Sequence, residues 1–175
     1  YNLSNNNLKE ISDTTEKKDR LSWGSFNPDT TKVFFSKDYN LYWMDYANYQ
    51  KAIKDEKDST IVEHQITTDG VQYYSWGGEP YSVTTGDKKS EDEEKKKRNA
   101  VWLNWSPNGK YFAITRKDNR NLSALWVINN VGGKRPTLET YKYLMPGELD
   151  STETDLFIFD AADLKPKRVD VQAFK

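Results

Sequence analysis

Trp105-Ser106-Pro107-Asn108-Gly109-Lys110-Tyr111-Phe112-Ala113-Ile114-Thr115-Arg116 reads as an aromatic residue, a tight turn and a strand. Pro107 presets φ for the second position of a β-turn, and Asn108-Gly109 reaches positive φ at little cost. Residues 111–115 supply aromatic and β-branched side chains that suit a pleated sheet. After a polar gap over 117–121 comes a second run, 122–128, closed by Asn129-Asn130. The spacing predicts an antiparallel hairpin between the two runs.

The same pattern stands earlier in the chain. Phe26-Asn27-Pro28-Asp29 matches Trp105-Ser106-Pro107-Asn108 position by position, and Lys32-Val33-Phe34-Phe35 then matches Lys110-Tyr111-Phe112-Ala113. Asp38-Tyr39-Asn40 is a turn, and Leu41-Tyr42-Trp43-Met44-Asp45 is the answering strand, like Leu125-Trp126-Val127-Ile128-Asn129. A third partial copy is Asp155-Leu156-Phe157-Ile158-Phe159-Asp160, followed by Ala161-Ala162-Asp163. Repeats of aromatic, Pro turn, strand, turn and strand point to an all-β fold, a partial β-propeller of about two to three antiparallel blades. The competing reading is an antiparallel sheet protein with recurrent turn chemistry; agreement across whole hairpins favours the propeller. Blade-like units are expected near 23–76, 100–144 and 145–175, within a propeller fragment covering 21–175. Residues 1–20 are polar and Asn-rich, a frayed entry in which 8–11 pairs at a sheet edge.

Composition is consistent with a folded chain carrying polar insertions. Charged residues make up 30% and aromatics 14% of the 175 residues, and disordered chains are poor in aromatics. A net charge of -1 gives no electrostatic case for nucleic acid or an anionic membrane. No apolar run approaches the roughly 18 residues of a membrane span, and no stretch has the pattern of a signal peptide. The first residue is Tyr1 rather than Met, which leads us to expect a processed or cut chain. The absence of cysteine excludes disulfides and thiolate metal sites.

One or two short helices are expected in the insertions. Residues 47–54 are good helix formers. Residues 59–66 return to β-branched alternation, Thr68-Asp69-Gly70 is a turn, and 72–76 reads as a short strand broken by Gly77-Gly78-Glu79-Pro80. From Asp87 to Arg98 nearly every residue is charged, which suits a solvated loop. Glu91/Lys95, Asp92/Lys96, Glu93/Lys97 and Glu94/Arg98 are all acid-before-base pairs four apart, the order that supports a helix, so a short exposed helix is predicted. Further on, 137–143 reads as a strand, Met145-Pro146-Gly147-Glu148 as a turn, and a last hairpin begins at Asp155.

No complete active site is legible, and no catalytic residue, metal ligand set or cofactor motif is assigned. A Gly-x-Ser-x-Gly elbow is absent. The single histidine, His64, reads as a half-buried structural residue between Val62 and Ile66. Gly132-Gly133-Lys134 lacks the spacing of a phosphate loop and reads as a turn. Asn2-Leu3-Ser4 and Asn121-Leu122-Ser123 fit the N-glycosylation pattern, which is too short to be specific.

Three stretches carry a family resemblance: Trp105-Ser106-Pro107-Asn108-Gly109-Lys110, Ile66-Thr67-Thr68-Asp69-Gly70, and Arg135-Pro136-Thr137-Leu138-Glu139-Thr140-Tyr141-Lys142-Tyr143-Leu144-Met145-Pro146-Gly147-Glu148. Together they resemble the N-terminal propeller of bacterial dipeptidyl peptidase IV-like enzymes, serine peptidases of the prolyl oligopeptidase family. The resemblance implies a secreted or periplasmic peptidase whose propeller screens peptide substrates for a C-terminal α/β-hydrolase domain, here absent, that carries the catalytic Ser, Asp and His. It also implies a pair of glutamates on a short helix upstream of the Trp-Ser-Pro-Asn-Gly turn, gripping the substrate's free amine. Glu93 and Glu94 fall near that place, although Lys88, Lys89, Ser90, Glu91 and Asp92 stand where aromatic residues are expected. The same two glutamates also suit a solvated helix. The second functional expectation is a propeller that binds another protein and belongs to no enzyme. In either case a ring left open exposes sheet edges, and self-association is expected.

Overall fold

The computed structural model describes residues 21–78, 83–84, 92–131 and 135–171. Strands β1 (Ser25–Phe26), β2 (Lys32–Lys37), β3 (Asn40–Asp45) and β4 (His64–Gln65) form one four-stranded antiparallel sheet in that order, with helix α1 (Tyr46–Lys54) between β3 and β4. The strands that follow are β5 (Val83–Thr84), β6 (Asn104–Trp105), β7 (Tyr111–Asp118), β8 (Ala124–Asn129), β9 (Thr137–Lys142), β10 (Glu153–Asp160) and β11 (Pro166–Val169). They build a second four-stranded sheet in the order β6-β7-β10-β11 and a three-stranded sheet in the order β5-β9-β8.

The two four-stranded sheets open on the same turn. The backbone N–H of Lys32 donates to Asn27 Oδ1 at 2.9 Å, and that of Tyr111 donates to Ser106 Oγ at 3.0 Å. Asn27 N donates to Lys32 O, and Ser106 N to Tyr111 O. Thr30 and Gly109 then fill one left-handed position, at φ of 59° and 66°. The partners Phe26↔Val33 and Trp105↔Phe112 follow. Lys32 therefore corresponds to Tyr111, one residue on from the alignment expected from sequence. The two turns have the same length, with no insertion between them, and Thr30 takes the left-handed position that Gly109 takes in the other copy.

This register explains the packing. Val33 and Phe112 are equivalent, yet Val33 packs with Trp23, Phe35, Met44 and Tyr49, whereas Phe112 packs with Phe34, Leu41, Trp76 and Phe159. Phe34, next to Val33 and on the opposite face of its sheet, meets Phe112 with ring centroids 5.4 Å apart. The first sheet is thus packed on both faces, one against the layer that carries Trp23 and α1 and the other against the second sheet, which is how successive propeller blades stack. The fold is an all-β, partial propeller with few helices. On the far face of the first sheet α1 buries Asn48, Tyr49 and Ala52. Asp45 caps that helix by accepting from Asn48 N at 2.7 Å.

The β2–β3 hairpin forms as expected. Its two loop residues, Asp38 and Tyr39, sit at φ of 47° and 65°, matching the twist of a tight primed turn. Gly70 closes over it, where a Cβ would lie 2.1 Å from Tyr39 O. The expected hairpin between 111–116 and 122–128 does not form. The partner of β7 is β10, paired from Asp118↔Glu153 to Tyr111↔Asp160, and β8 pairs with β9 instead. Strand β10 offers Phe157 and Phe159 to the face where β7 offers Phe112 and Ile114, with Phe112 and Phe159 stacked at 4.8 Å. The run of Leu125, Trp126, Val127 and Ile128 has no polar face to set against that alternation. This pairing joins, in one sheet, segments expected in separate units near 100–144 and 145–175. The expected strand at 72–76 is instead a turn with a Val71↔Tyr74 bridge.

Candidate functional site

Glu93 and Glu94 lie in a helical segment, described over residues 92–94, close to the turn-bearing end of the β2–β3 hairpin. Two ion pairs within the run join residues three apart, where a spacing of four was expected. Asp92 pairs with Lys95 at 2.6 Å and Glu94 pairs with Lys97. Arg98, expected beside Glu94, is drawn instead to Glu63. Glu93 lines an open cleft between this segment and α1, together with Leu21, Ala52, Glu56, Glu63 and Arg98. Of the two expected amine-binding residues, one faces the cleft and the other is partly neutralised by a neighbour. The upstream residues Lys88, Lys89, Ser90 and Glu91 lie outside the described residues, as do Gly132-Gly133-Lys134 and Asn2.

Glu63 shapes the electrostatics of the cleft. Burial pushes its carboxyl pKa up, but hydrogen bonds from Lys37 and Arg98 outweigh burial and hold it below the usual range. It is therefore an ionised carboxylate at neutral pH, shared between two cations, and not a proton donor.

A second charged cluster was missed by sequence reasoning. Arg116 points inward from β7 and is 1% exposed. Its guanidinium lies 3.4 Å from the centroid of the Tyr74 ring and 4.5 Å from that of Trp76. Nη1 donates to Asp69 Oδ2 at 2.6 Å, and Nη2 donates to the carbonyls of Asp69 and Tyr74, each at 2.9 Å. Asp69 also accepts from Trp76 Nε1 at 2.7 Å. Burial raises the Asp69 pKa, while the Trp76 and Arg116 hydrogen bonds lower it further, leaving it depressed. Tyr74 OH donates to Asp155, which accepts from Arg168 as well. This cluster clamps residues 69–76 onto the second sheet and offers no open catalytic position. The signal was Arg116 at an inward place on an alternating strand, in register with Asp155 on β10.

His64 is exposed rather than half-buried, stacked on Trp43 at 4.5 Å. The strand edge there is too short to cover it. Among the described residues no group of three His, Cys, Asp or Glu could hold a metal, and no helix is long and apolar enough to cross a membrane.

The family model for the dipeptidyl peptidase IV (DPP IV) N-terminal region matches residues 1–175. Among solved structures the chain is similar to dipeptidyl peptidase 4 of Porphyromonas gingivalis, with a TM-score of 0.54 and 22% identity over 85% of this chain and 18% of that one. It is also similar to a protein of Bacteroides ovatus described as a dipeptidyl aminopeptidase IV, with a TM-score of 0.52 and 15% identity over 85% of this chain and 16% of that one. At these identities the likeness is one of fold, and the chain spans less than a fifth of either structure. No curated protein sequence matches it.

Proposed function

This chain belongs to the family of dipeptidyl peptidase IV N-terminal regions, and from that premise we propose that it is the non-catalytic propeller part of a secreted or periplasmic bacterial serine peptidase. In this reading it gates or binds peptide substrates for an α/β-hydrolase domain that supplies the catalytic Ser, Asp and His. The observation that carries the reading is the helical segment at 92–94, which sets Glu93 at the mouth of a cleft and Glu94 beside it, upstream of the Trp105 turn. Two adjacent carboxylates suit the free amine of a peptide through charge-assisted hydrogen bonds. Changing both to glutamine in the full-length protein is expected to raise KM for Gly-Pro-p-nitroanilide about 30- to 100-fold, as for loss of hydrogen bonds to a charged group. Steady-state kinetics with an unchanged KM would remove both residues from the site.

A second feature supports binding to protein. Ten of the sixteen exposed large apolar residues among those described fall between 124 and 149, including Trp126, Ile128, Val131 and Leu149. Strand β8 is also a sheet edge. Such an edge, apolar on both faces, invites pairing with another copy. Sedimentation of the isolated chain is expected to show concentration-dependent association that Trp126→Lys and Ile128→Lys weaken. A strictly monomeric chain at high concentration would exclude it.

A further inference from the structure

The charged run 92–98 ends in a residue unlike the others. Lys95 and Lys97 pair within the run, whereas the Arg98 side chain is 13% exposed and ties the run to the first sheet. Its guanidinium lies 5.3 Å from the Trp23 ring and 5.9 Å from Phe35. Nε donates to Glu63 Oε1 at 2.7 Å and Nη1 donates to Glu56 O at 2.9 Å. Lys37 Nζ donates to the other Glu63 oxygen at 2.5 Å. The backbone joins in: Asp38 N donates to Lys95 O at 2.8 Å, and Ser36 and Asn99 exchange bonds of 2.9 and 2.8 Å.

We infer that Arg98 and Glu63 are positioning residues for Glu93 and Glu94. They hold the segment that carries those carboxylates in one place at the mouth of the cleft, so that an ammonium group meets a preformed site. The inference rests on the amine-binding reading above. A planar guanidinium fork, with its face against aromatic rings and its edge on a carboxylate, fixes direction as well as distance, which a lysine cannot do. A segment tied only by solvated lysines would have to be ordered by each ligand, and that ordering weakens binding.

The test is a double-mutant cycle in the full-length protein, with Gly-Pro-p-nitroanilide as the probe. Arg98→Met keeps the apolar stem, and Glu63→Gln keeps the shape of the carboxylate. Each is expected to raise KM about tenfold with kcat within about twofold, and the double variant is expected to be no worse than either single one. Arg98→Lys should recover only part of the loss. Effects that add in the double variant, or a kcat that falls in step with the thermal midpoint, would reduce the pair to a structural role and overturn the inference. So would an unmoved KM in both single variants while Glu93→Gln with Glu94→Gln raises it. An unmoved KM in that glutamine pair overturns the amine reading itself, and the positioning role with it.

Discussion

Phe112→Ala is expected to destabilise the chain by about 3–5 kcal/mol, the usual cost of emptying a large aromatic site in a packed core. The residue is 1% exposed and stands where the two four-stranded sheets meet. Its ring stacks on Phe159 at 4.8 Å with 6° between planes, and it meets Phe34 and Trp105 at 5.4 and 4.9 Å. Phe159 belongs to the same sheet and Phe34 to the other, so one truncation loosens both the second sheet and its contact with the first. Urea unfolding followed by tryptophan fluorescence measures the change. Because Trp23 lies in the core on the far face of the first sheet and Trp76 and Trp105 in the core between the sheets, the variant is also expected to lose the single shared transition. A loss below about 1 kcal/mol, within the range of surface substitutions, would mean that the interface between sheets is not the core of this fold.

The second large effect comes from the Arg116 clamp, and here the choice of partner decides the size. Arg116 is 1% exposed on its side chain, whereas Asp69 is 62% exposed. Removing Arg116 leaves a carboxylate that water can reach. Removing Asp69 leaves a buried guanidinium without its nearest counter-ion and takes the acceptor from Trp76 Nε1. Stripping one member of a buried pair costs about 3–5 kcal/mol when the charge left behind is buried. Asp69→Ala is therefore expected near that range in the same unfolding assay. Arg116→Met, which keeps much of the packing between Tyr74 and Trp76, is expected at less than half of it. The reverse order would show that the clamp works through packing alone.

What could be read from sequence was local. The Ser106-Pro107-Asn108-Gly109 turn, the β2–β3 hairpin, α1 and the turn at Met145 each announce themselves within a few residues, through proline, glycine, asparagine or capping chemistry. The partner of β7 did not, because about 35 residues separate Asp118 from its pair Glu153 and a nearer apolar run imitated the missing strand. The alternation that distinguishes β10 from β8 is visible in hindsight: Asp155, Phe157 and Phe159 alternate with smaller or exposed neighbours, while 125–128 do not. In the candidate site, the adjacent glutamates and their helical segment were legible. The anchoring of that segment was not, since Arg98 looks like one more member of a solvated run until Glu63 and Trp23 are brought beside it. The Arg116 clamp escaped for the same reason, its partner Asp69 being 47 positions away.

The long excursion between β7 and β10 matters to the chain as it leaves the ribosome. At translation speeds of about 5–20 residues per second, β7 waits roughly 2–7 s before its true neighbour has been made. Throughout that interval the nearest newly synthesised apolar strand is β8, the same one that sequence spacing offers as a partner. Capture of β8 by β9, which follows it directly, would keep the edge of β7 open for β10.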